Sequence, residues 1–278
     1  MKQFDEEQFI ENKQRLLGLM EQYTDQDIIL AFSGGADSTL ILKLACELAA
    51  KKGHKVYAVT IHTKLHPMNE LELTKKAAQE AGAIYRVIQV DELQDAGILD
   101  NPVDRCYRCK KYLFTKLREI ANNQNIDIIM DGTNEDDLHE YRPGIQALRE
   151  LKVVSPLAEA KMTKAMVRKM GEEYGLSAAH RPSAPCLATR FPYGTALSYD
   201  IMRKVEKAEE YLRLLGFYNV RVRIHEDIAR IEVDSKDIDL LMEHRAEIVS
   251  CLKELGYAYV TLDLEGFRSG SMDYKVKN

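Results

Sequence analysis

The chain has 278 residues, of which 45% are hydrophobic and 30% charged, with a formal net charge of −5. This composition is typical of a globular protein, and the length exceeds the ~100–200 residues of one domain, which indicates two domains. The acidic balance provides no basic field to attract a nucleic-acid backbone. No stretch approaches the roughly 18 apolar residues of a membrane span and the first residues lack a signal core, so we expect a cytoplasmic protein without nucleic-acid or membrane partners.

The first two-thirds of the chain alternate between helix and strand, a pattern that predicts an α/β fold with a parallel sheet covered on both faces. After an N-terminal amphipathic helix we predict strand 28–32, helix 38–52, strand 56–61, helix 69–81 and strand 85–90. A polar stretch and a helix ending near 124 precede strand 126–130 and the polar turn 131–137. Ligands gather at the carboxyl ends of such strands, so the loops after Phe32, Ile61 and Met130 predict one site.

The remainder of the chain has a different pattern. A Pro-rich segment at 180–186 precedes it, and we place the boundary near 190, which gives domains 1–190 and 191–278. The second domain is predicted to contain helix 198–215, strands 220–225 and 228–233, helix 237–254 and strand 257–263. The short connection between the first two strands predicts a hairpin, and the whole unit is a small α+β domain.

Residues 33–39 read Ser-Gly-Gly-Ala-Asp-Ser-Thr and join a buried-looking strand to a predicted helix. The exposed N–H groups and dipole of a helix N-terminus attract an anion there. Gly34 and Gly35 permit close approach of phosphate, Asp37 could hold Mg²⁺, and hydroxyl donors come from Ser33, Ser38 and Thr39. No Lys follows the second Gly, so this is not a Walker A motif. The alternative is a Gly-rich turn that binds nothing.

That loop resembles the PP-loop, SGGxDS[ST], of the N-type ATP pyrophosphatases, which have a Rossmann-like, adenine nucleotide α-hydrolase-like fold. The resemblance implies that ATP is cleaved between its α and β phosphates and that a substrate is adenylated. Asp131 and Gly132, in the polar turn after the last strand of the sheet, are predicted to join the same nucleotide site.

Three cysteines form a second candidate site. Cys106 and Cys109 form a C-x-x-C at the start of a predicted helix, and Cys186 follows in the Pro-rich loop. Three hypotheses compete: an iron–sulfur site, a redox dithiol, and a zinc site completed by His62, His66, His139 or His180. Cys46 and Cys251 lie in apolar helical patterns and are predicted to be small buried thiols.

Arginines form a third group. Strand alternation puts Arg221 and Arg223 on the face opposite Val220 and Val222, which predicts an arginine surface suited to phosphate or carboxylate. The alternative is a solvated sheet face balanced by acidic residues, Glu232 and Asp234. Two loop arginines flanked by glycine and aromatic residues, Arg190 and Arg268, also favour a ligand.

The sequence resembles the LarE family, the sulfurtransferases that act on pyridinium-3,5-biscarboxylic acid mononucleotide during synthesis of the nickel-pincer nucleotide cofactor. The matching segments extend over nearly the whole chain: AFSGGADSTL, DGTNEDD with YRPG, CLATRFPYGT, AEEYLRLLGF, VRVRIHEDIARIE and YVTLDLEGFRSG. The resemblance implies adenylation of a substrate carboxylate, conversion to a thiocarboxylate with release of AMP, and assembly as a homo-oligomer, with a hexamer as the form in the family. Glu209, Arg221 and Arg223 match a group that binds the substrate phosphate.

Cys186 matches the cysteine that, in single-cysteine members of the family, gives up its own sulfur. The chain departs from those members because it adds Cys106 and Cys109, the pattern of a three-cysteine subset in which a [4Fe–4S] cluster carries the sulfur. We therefore expect ATP, Mg²⁺ and a [4Fe–4S] cluster as cofactors. The alternatives are a thiolase that acts on tRNA or on a different small molecule, and a nucleotide-binding sensor without turnover.

Overall fold

The computed structural model describes residues 5–63, 65, 70–140, 142–180, 186–268 and 270–273. The chain divides into two compact units: of these residues, the first holds 5–63, 70–96, 106–140 and 142–180, and the second holds the others. Outside the described residues lie the Pro-rich residues 181–185, the candidate ligand His66, Tyr141 and Ser269. Within the described part, no helix is both long and apolar enough to cross a membrane. The boundary near 190 stays a prediction.

The first unit is built on a parallel sheet of four strands in the order β3-β2-β1-β4. The strands are β1 Ile28–Ala31, β2 Val56–His62, β3 Ile84–Gln89 and β4 Ile128–Met130. Ile29 of β1 lies opposite Tyr57 on one side and Ile129 on the other. The structure confirms the predicted parallel α/β architecture, and β4 is shorter than the predicted strand 126–130.

Helices cover both faces of this sheet. They are α1 Glu6–Tyr23, α2 Ala36–Lys52, α3 Glu70–Glu80, α4 Glu92–Asp95, α5 Arg105–Asn123, α6 Glu135–Leu138, α7 Gly144–Glu150, α8 Pro156–Glu159 and α9 Lys164–Glu173. Ile28 and Leu30 pack into one core with α1 and α2, whereas Ile29 packs into a second core with Phe114 and Leu117 of α5. Successive strand residues point to opposite faces, so a continuously apolar strand fills both cores.

The sequence analysis did not predict the four short helices α4, α6, α7 and α8, or the ten-residue α9. Short helices carry too few turns for an apolar period to be recognised. For α9 the signal is present, because Thr163 accepts a hydrogen bond from Met166 N and buried Met166, Val167 and Met170 follow at helical spacing. The first residue of this helix is Lys164.

The second unit contains a three-stranded sheet in the order β5-β6-β7. The strands are β5 Val220–His225, β6 Ile228–Val233 and β7 Tyr259–Leu262, and the helices are α10 Tyr199–Leu214, α11 Ile238–Glu243 and α12 Arg245–Glu254. β5 and β6 form the predicted antiparallel hairpin, and β7 pairs parallel to β6.

One predicted helix is two helices. The prediction of a continuous helix over 237–254 is wrong, because the backbone leaves helical geometry at His244, where ψ is 7°. His244 ends α11 and precedes α12, and its ring Nδ1 contacts the carboxylate of Glu247 in the first turn of α12. The apolar period continues across this break, so the pattern alone does not reveal it.

Candidate functional site: a PP-loop and a buried arginine cluster

The loop between β1 and α2 is held in shape by glycine and serine. Gly34 has a φ of +73°, and a Cβ at this position would lie 2.6 Å from Cγ2 of Thr74. A side chain is therefore excluded by both conformation and space. Ser38 Oγ lies 3.1 Å from Ser33 Oγ and 3.3 Å from the Gly35 carbonyl oxygen, which closes the loop on itself.

Gly35 is the N-cap residue of α2 and offers no side-chain cap, so the first turn presents backbone N–H groups beside Asp37 and Ser38. α2 has 17 residues, long enough for its dipole to favour an anion at this end. Thr39 Oγ1 is buried and has no hydrogen-bond partner among the described residues. The predicted residues of the loop thus form a compact turn at a helix N-terminus.

Asp37 is paired with a lysine that the sequence analysis did not identify. The Asp37 carboxylate contacts the ammonium group of Lys164 through Oδ2 and accepts a hydrogen bond from Asn134 Nδ2 through Oδ1 at 3.2 Å. Lys164 is 127 residues further along the chain, where no nearby motif marks it. The loop lacks a Walker lysine, and Lys164 places a positive charge beside it from another element.

The turn after β4 lies directly against the PP-loop. A Cβ on Gly132 would lie 3.0 Å from Ser38 N and 3.2 Å from Asp37 Cβ, so only glycine allows this approach. The structure therefore brings the loops after Phe32 and Met130 together. The loop after Ile61 continues beyond Thr63 into residues that are only partly described.

Asp131 is a buried acceptor for several donors. Its Oδ1 accepts hydrogen bonds from Ser155 Oγ at 2.6 Å and Thr133 N at 3.2 Å, and its Oδ2 accepts one from Thr133 Oγ1 at 2.5 Å. Lys110 Nζ lies 3.5 Å from the same Oδ2. Sequence analysis predicted Asp131 as a nucleotide residue. In the structure it organises the turn around Gly132.

The polar turn continues as a capped helix with a second, half-buried carboxylate. Asn134 caps α6 in a capping box with Asp137, whose carboxylate also pairs with Arg142 at 2.8 Å. Burial raises the pKa of the Asp137 carboxyl, and the charge of Arg142 opposes this effect. The turn thus adds acidic groups near Asp37.

Asp37 suits a magnesium ion that is bound mainly by nucleotide phosphates. Mg²⁺ commonly takes one or two carboxylates together with phosphate oxygens and water. Within the described ranges, no group of three or more His, Cys, Asp or Glu side chains is arranged to hold a metal ion. Asp37 alone, in the first turn of α2, fits as a single carboxylate ligand.

Cys106 and Cys109 lie at the start of α5, three residues apart and partly exposed. That spacing puts both thiols on one helix face. Cys186, also partly exposed, is in the second unit, where its carbonyl oxygen accepts hydrogen bonds from Thr189 Oγ1 at 2.8 Å and Arg190 Nη1 at 3.2 Å. No disulfide forms among the described cysteines.

The other two cysteines differ from each other. Cys46 is buried in α2, and burial raises the pKa of its thiol to about 12, as expected of a packing residue. Cys251 is only partly buried, beside the face of α12 that buries Ile248 and Leu252, so the prediction of a buried thiol is wrong there. Of the histidines proposed for zinc, His139 and His180 are exposed and contact Glu135 and Glu172.

Buried ion pairs dominate the second unit. Arg190, 2% exposed, donates from Nε and Nη2 to the two carboxylate oxygens of Glu209, each at 2.8 Å. Burial alone would raise the pKa of Glu209, but the hydrogen bonds and charge of Arg190 outweigh it and hold that pKa below its ordinary value. Val222 N donates to the same carboxylate at 3.0 Å.

Arg223 forms a second such pair. Its Nε and Nη2 donate to Glu232 Oε2 at 3.0 and 2.9 Å, and Nη1 donates to the Thr189 carbonyl oxygen at 3.0 Å. Both Arg221 and Arg223 are 5% exposed. The predicted arginine face therefore exists but is buried, which differs from the open surface expected from alternation and from the solvated alternative.

Arg221 lies among like charges. Burial and the neighbouring charge of Arg190 lower the pKa of Arg221 to about 10, and Glu209 opposes this shift. Its guanidinium carbon lies 5.1 Å from the ring centroid of Phe267. Arg268 is at the rim, 40% exposed, and pairs with Asp263 at 3.0 Å. The structure thus collects all five predicted substrate residues within the second unit.

Comparison with known proteins agrees with the loop geometry. Residues 9–148 match the family model of the PP-loop domain. The pyridinium-3,5-bisthiocarboxylic acid mononucleotide synthase of Lactiplantibacillus plantarum is 40% identical over 248 residues, covering 89% of each chain. An uncharacterized protein of Synechocystis is 37% identical over 95% of this chain and 96% of its own length. Another, from Methanocaldococcus jannaschii, is 32% identical over 90% and 94%.

The match to the synthase extends through both units, well beyond the PP-loop that many nucleotide-binding enzymes share. The chain therefore belongs to the PP-loop proteins and, within them, to the LarE family that includes the pyridinium-3,5-bisthiocarboxylic acid mononucleotide synthase.

Proposed function

We propose that the chain is an ATP-dependent sulfurtransferase that converts a carboxylate of pyridinium-3,5-biscarboxylic acid mononucleotide into a thiocarboxylate for nickel-pincer nucleotide synthesis. The observation that carries this proposal is the 40% identity to the synthase over 89% of both chains. The PP-loop geometry supports the ATP-dependent half of the reaction. The cytoplasmic location and the homo-oligomeric, hexameric assembly stay predictions.

The first unit would bind ATP with its phosphates at the start of α2. Gly34 and Gly132 have no side chains to fill this space, and Ser33 and Ser38 supply hydroxyl groups. Lys164 supplies the charge that balances the phosphates. Asp37 would exchange its contact with Lys164 for Mg²⁺, which neutralises charge on the departing pyrophosphate.

Adenylation makes the carboxylate reactive. A substrate carboxylate oxygen attacks the α-phosphorus of ATP, the bond from that phosphorus to the bridging oxygen breaks, and pyrophosphate leaves. A sulfur nucleophile then attacks the acyl carbon, and AMP leaves with the former carboxylate oxygen. One thiocarboxylate forms for each ATP cleaved to AMP and pyrophosphate.

We propose a [4Fe–4S] cluster bound by Cys106, Cys109 and Cys186 as the sulfur carrier. The two thiols on one face at the start of α5 suit two thiolate ligands, and all three cysteines are partly exposed. When bound, such a cluster supplies the sulfur nucleophile. The competing role for Cys186 is that of a donor that gives up its own sulfur.

The buried arginine cluster is our proposed site for the substrate phosphate, with Arg190, Glu209, Arg221, Arg223 and Arg268 as its residues. Arg190 is fixed by a bidentate pair with Glu209, and Arg223 by two hydrogen bonds to one oxygen of Glu232. The lowered pKa of Arg221 reflects burial and an excess of positive neighbours. A phosphate dianion would relieve that excess.

The proposal is tested by incubating anaerobically prepared protein with ATP, Mg²⁺, a sulfide source and the bis-carboxylate mononucleotide. We expect AMP and pyrophosphate to form only with the acceptor present, and the acceptor mass to change by one oxygen-for-sulfur exchange. Sulfur found in added tRNA instead, or AMP formed without any sulfur product, would contradict the proposal.

A further inference from the structure

Lys110 connects the two cysteines of α5 to the nucleotide loop. It follows Cys109 directly, and its Nζ lies 3.5 Å from Asp131 Oδ2 at the end of β4. We propose that Lys110 is a positioning residue that holds the cysteine-bearing turn of α5 in place, so that nucleotide binding and thiol reactivity are coupled. This inference deepens the proposed function and depends on it for its purpose.

The acceptor of this contact is rigid. Asp131 is 5% exposed, and Thr133 and Ser155 fix both of its oxygens at 2.5 to 3.2 Å. An exposed lysine pair contributes little when both groups can move. Here one partner is buried and accepts hydrogen bonds on both oxygens, so the ion pair defines where the lysine head lies.

The stem of Lys110 is confined as well. A Cβ on Gly144 would lie 2.9 Å from Cδ of Lys110 and 3.2 Å from the Cys106 carbonyl oxygen. The start of α7 therefore packs directly on the turn that carries the cysteines. Both the stem and the head of Lys110 are held, one by Gly144 and one by Asp131.

The residue that follows Asp131 packs directly against the nucleotide loop. Its neighbour Gly132 lies against Ser38 N and Asp37 Cβ, with only 3.0 and 3.2 Å available for a side chain. A continuous path thus runs from Cys109 through Lys110 and Asp131 to the first turn of α2. Every residue of this path is in the first unit.

The element that responds is the start of α5, its first two turns, because the ends of helices open more easily than their interiors. Asp131 is rigid relative to its own turn, so nucleotide binding would fix that turn and Gly132 as one unit, and Lys110 would transmit this order to the start of α5 with Cys106 and Cys109. Coupling of two sites is reciprocal, so a modification that opens the turn weakens nucleotide binding by the same factor.

The test uses the full chain, reduced and free of metal, with iodoacetamide as the thiol probe. Carbamidomethylation rates of Cys106 and Cys109 are measured by peptide mass spectrometry with and without Mg²⁺ and α,β-methylene-ATP, which cannot be cleaved between the α and β phosphates. We expect the nucleotide to slow both rates about fivefold or more, the range of typical site–site coupling. Calorimetry confirms that the nucleotide is bound.

Lys110→Met should abolish this protection while nucleotide still binds, and Lys110→Arg should restore it, because a guanidinium also pairs with Asp131. Lys111→Met is the matched control: Lys111 is on the same helix but pairs with Glu150 at 2.6 Å, so protection should stay at the wild-type factor. If Lys110→Met does not fold, Gly144→Ala decides, because it displaces the same turn without removing a charge.

Protection retained in Lys110→Met or Gly144→Ala, or absent from the wild type, would overturn the inference. Protection that depends on Lys110 in a protein that forms no thiocarboxylate would instead support the coupling and refute the proposed function. The two failures are therefore distinguishable.

Discussion

At the scale of single residues, the nucleotide site depends on charges that come from distant parts of the chain. Asp37 is in the loop motif, but its partner Lys164 begins α9. A P-loop protein would supply this charge from within the motif. Here the fold supplies it.

Asp37→Ala should lower acceptor-dependent pyrophosphate release about a hundredfold or more, because a metal contact at the phosphates is lost. Stability should change by only about 1 kcal/mol, the contribution of an acidic residue in a first helical turn. Pyrophosphate release and thermal unfolding are the measurements. Asp127→Ala, at the amino end of β4, is the control and should leave both unchanged. Unchanged ATP cleavage with normal unfolding in Asp37→Ala would refute the PP-loop assignment.

Lys164→Met should lower pyrophosphate release about a hundredfold, as does loss of one preorganised charge or donor at a transition state. The side chain is 34% exposed, so the loss of its ion pair should cost less than about 1 kcal/mol of stability. Lys169→Met provides the comparison, because Lys169 is on the same helix but contacts Glu6. Equal activity of the two variants would show that Lys164 does not serve the nucleotide.

At the scale of elements, the hairpin of β5 and β6 is stabilised by buried ion pairs on its second face. Arg190 and Glu209 join the turn before α10 to α10 itself, and Arg223 and Glu232 join β5 to β6. A buried pair is costly to break because the remaining charge stays buried with neither a partner nor water to solvate it. These arginines are therefore structural as well as candidate ligands for phosphate.

Arg190→Met should destabilise the protein by about 3–5 kcal/mol at pH 7, the usual loss when one partner of a buried pair is removed. In the wild type the pKa of Glu209 is lowered, so its contribution is complete above the ordinary carboxyl pKa of about 4.3 and is lost as pH falls further. In the variant, burial without Arg190 should raise that pKa instead. The variant should then lose stability as pH rises above about 4.3, because the buried Glu209 carboxyl has to ionise without its partner.

The destabilisation by Arg190→Met should accordingly be larger at pH 7 than at pH 4, as measured by urea unfolding at both values. Arg213→Met is the control, since Arg213 makes one 2.8 Å contact with the same carboxylate and is 40% exposed. An equal loss at both pH values would show that Glu209 does not titrate as proposed.

Helices and strands with a strong period of apolar residues were predictable from the sequence, and features that depend on tertiary contacts were not. The apolar strands and long helices of the first unit follow from their sequence patterns, as does the hairpin. The break at His244 leaves the apolar period intact. Arg221 and Arg223 are buried beside the carboxylates of Glu209 and Glu232, which strand alternation alone cannot reveal.

At the scale of the whole molecule, the sequence predicted the loop residues of the site but not its complete set of charges. The motif around Asp37 is local and therefore visible in the sequence. Lys164 and Lys110 act on Asp37 and Asp131 only after the sheet has formed. Neither lies in a spacing pattern with the carboxylate that it contacts, so only the structure could identify them.

Replacement of Cys106, Cys109 or Cys186 by Ala should each lower the iron content and stop sulfur transfer, while ATP cleavage persists because the PP-loop is unchanged. Iron and sulfide analysis of anaerobic protein is the measurement. Cys46→Ala, in the core of α2, is the control and should keep its iron. A donor role for Cys186 predicts something different: only Cys186 is required, and the spent protein loses the mass of H₂S as that residue becomes dehydroalanine.

The most direct measurement counts thiocarboxylate product and AMP against protein in one reaction containing ATP, Mg²⁺, sulfide and the mononucleotide acceptor. The account predicts one AMP for each sulfur transferred, and more sulfur transferred than protein present. AMP formed without sulfur in the acceptor, or no ATP cleavage at all in the presence of acceptor, would contradict it.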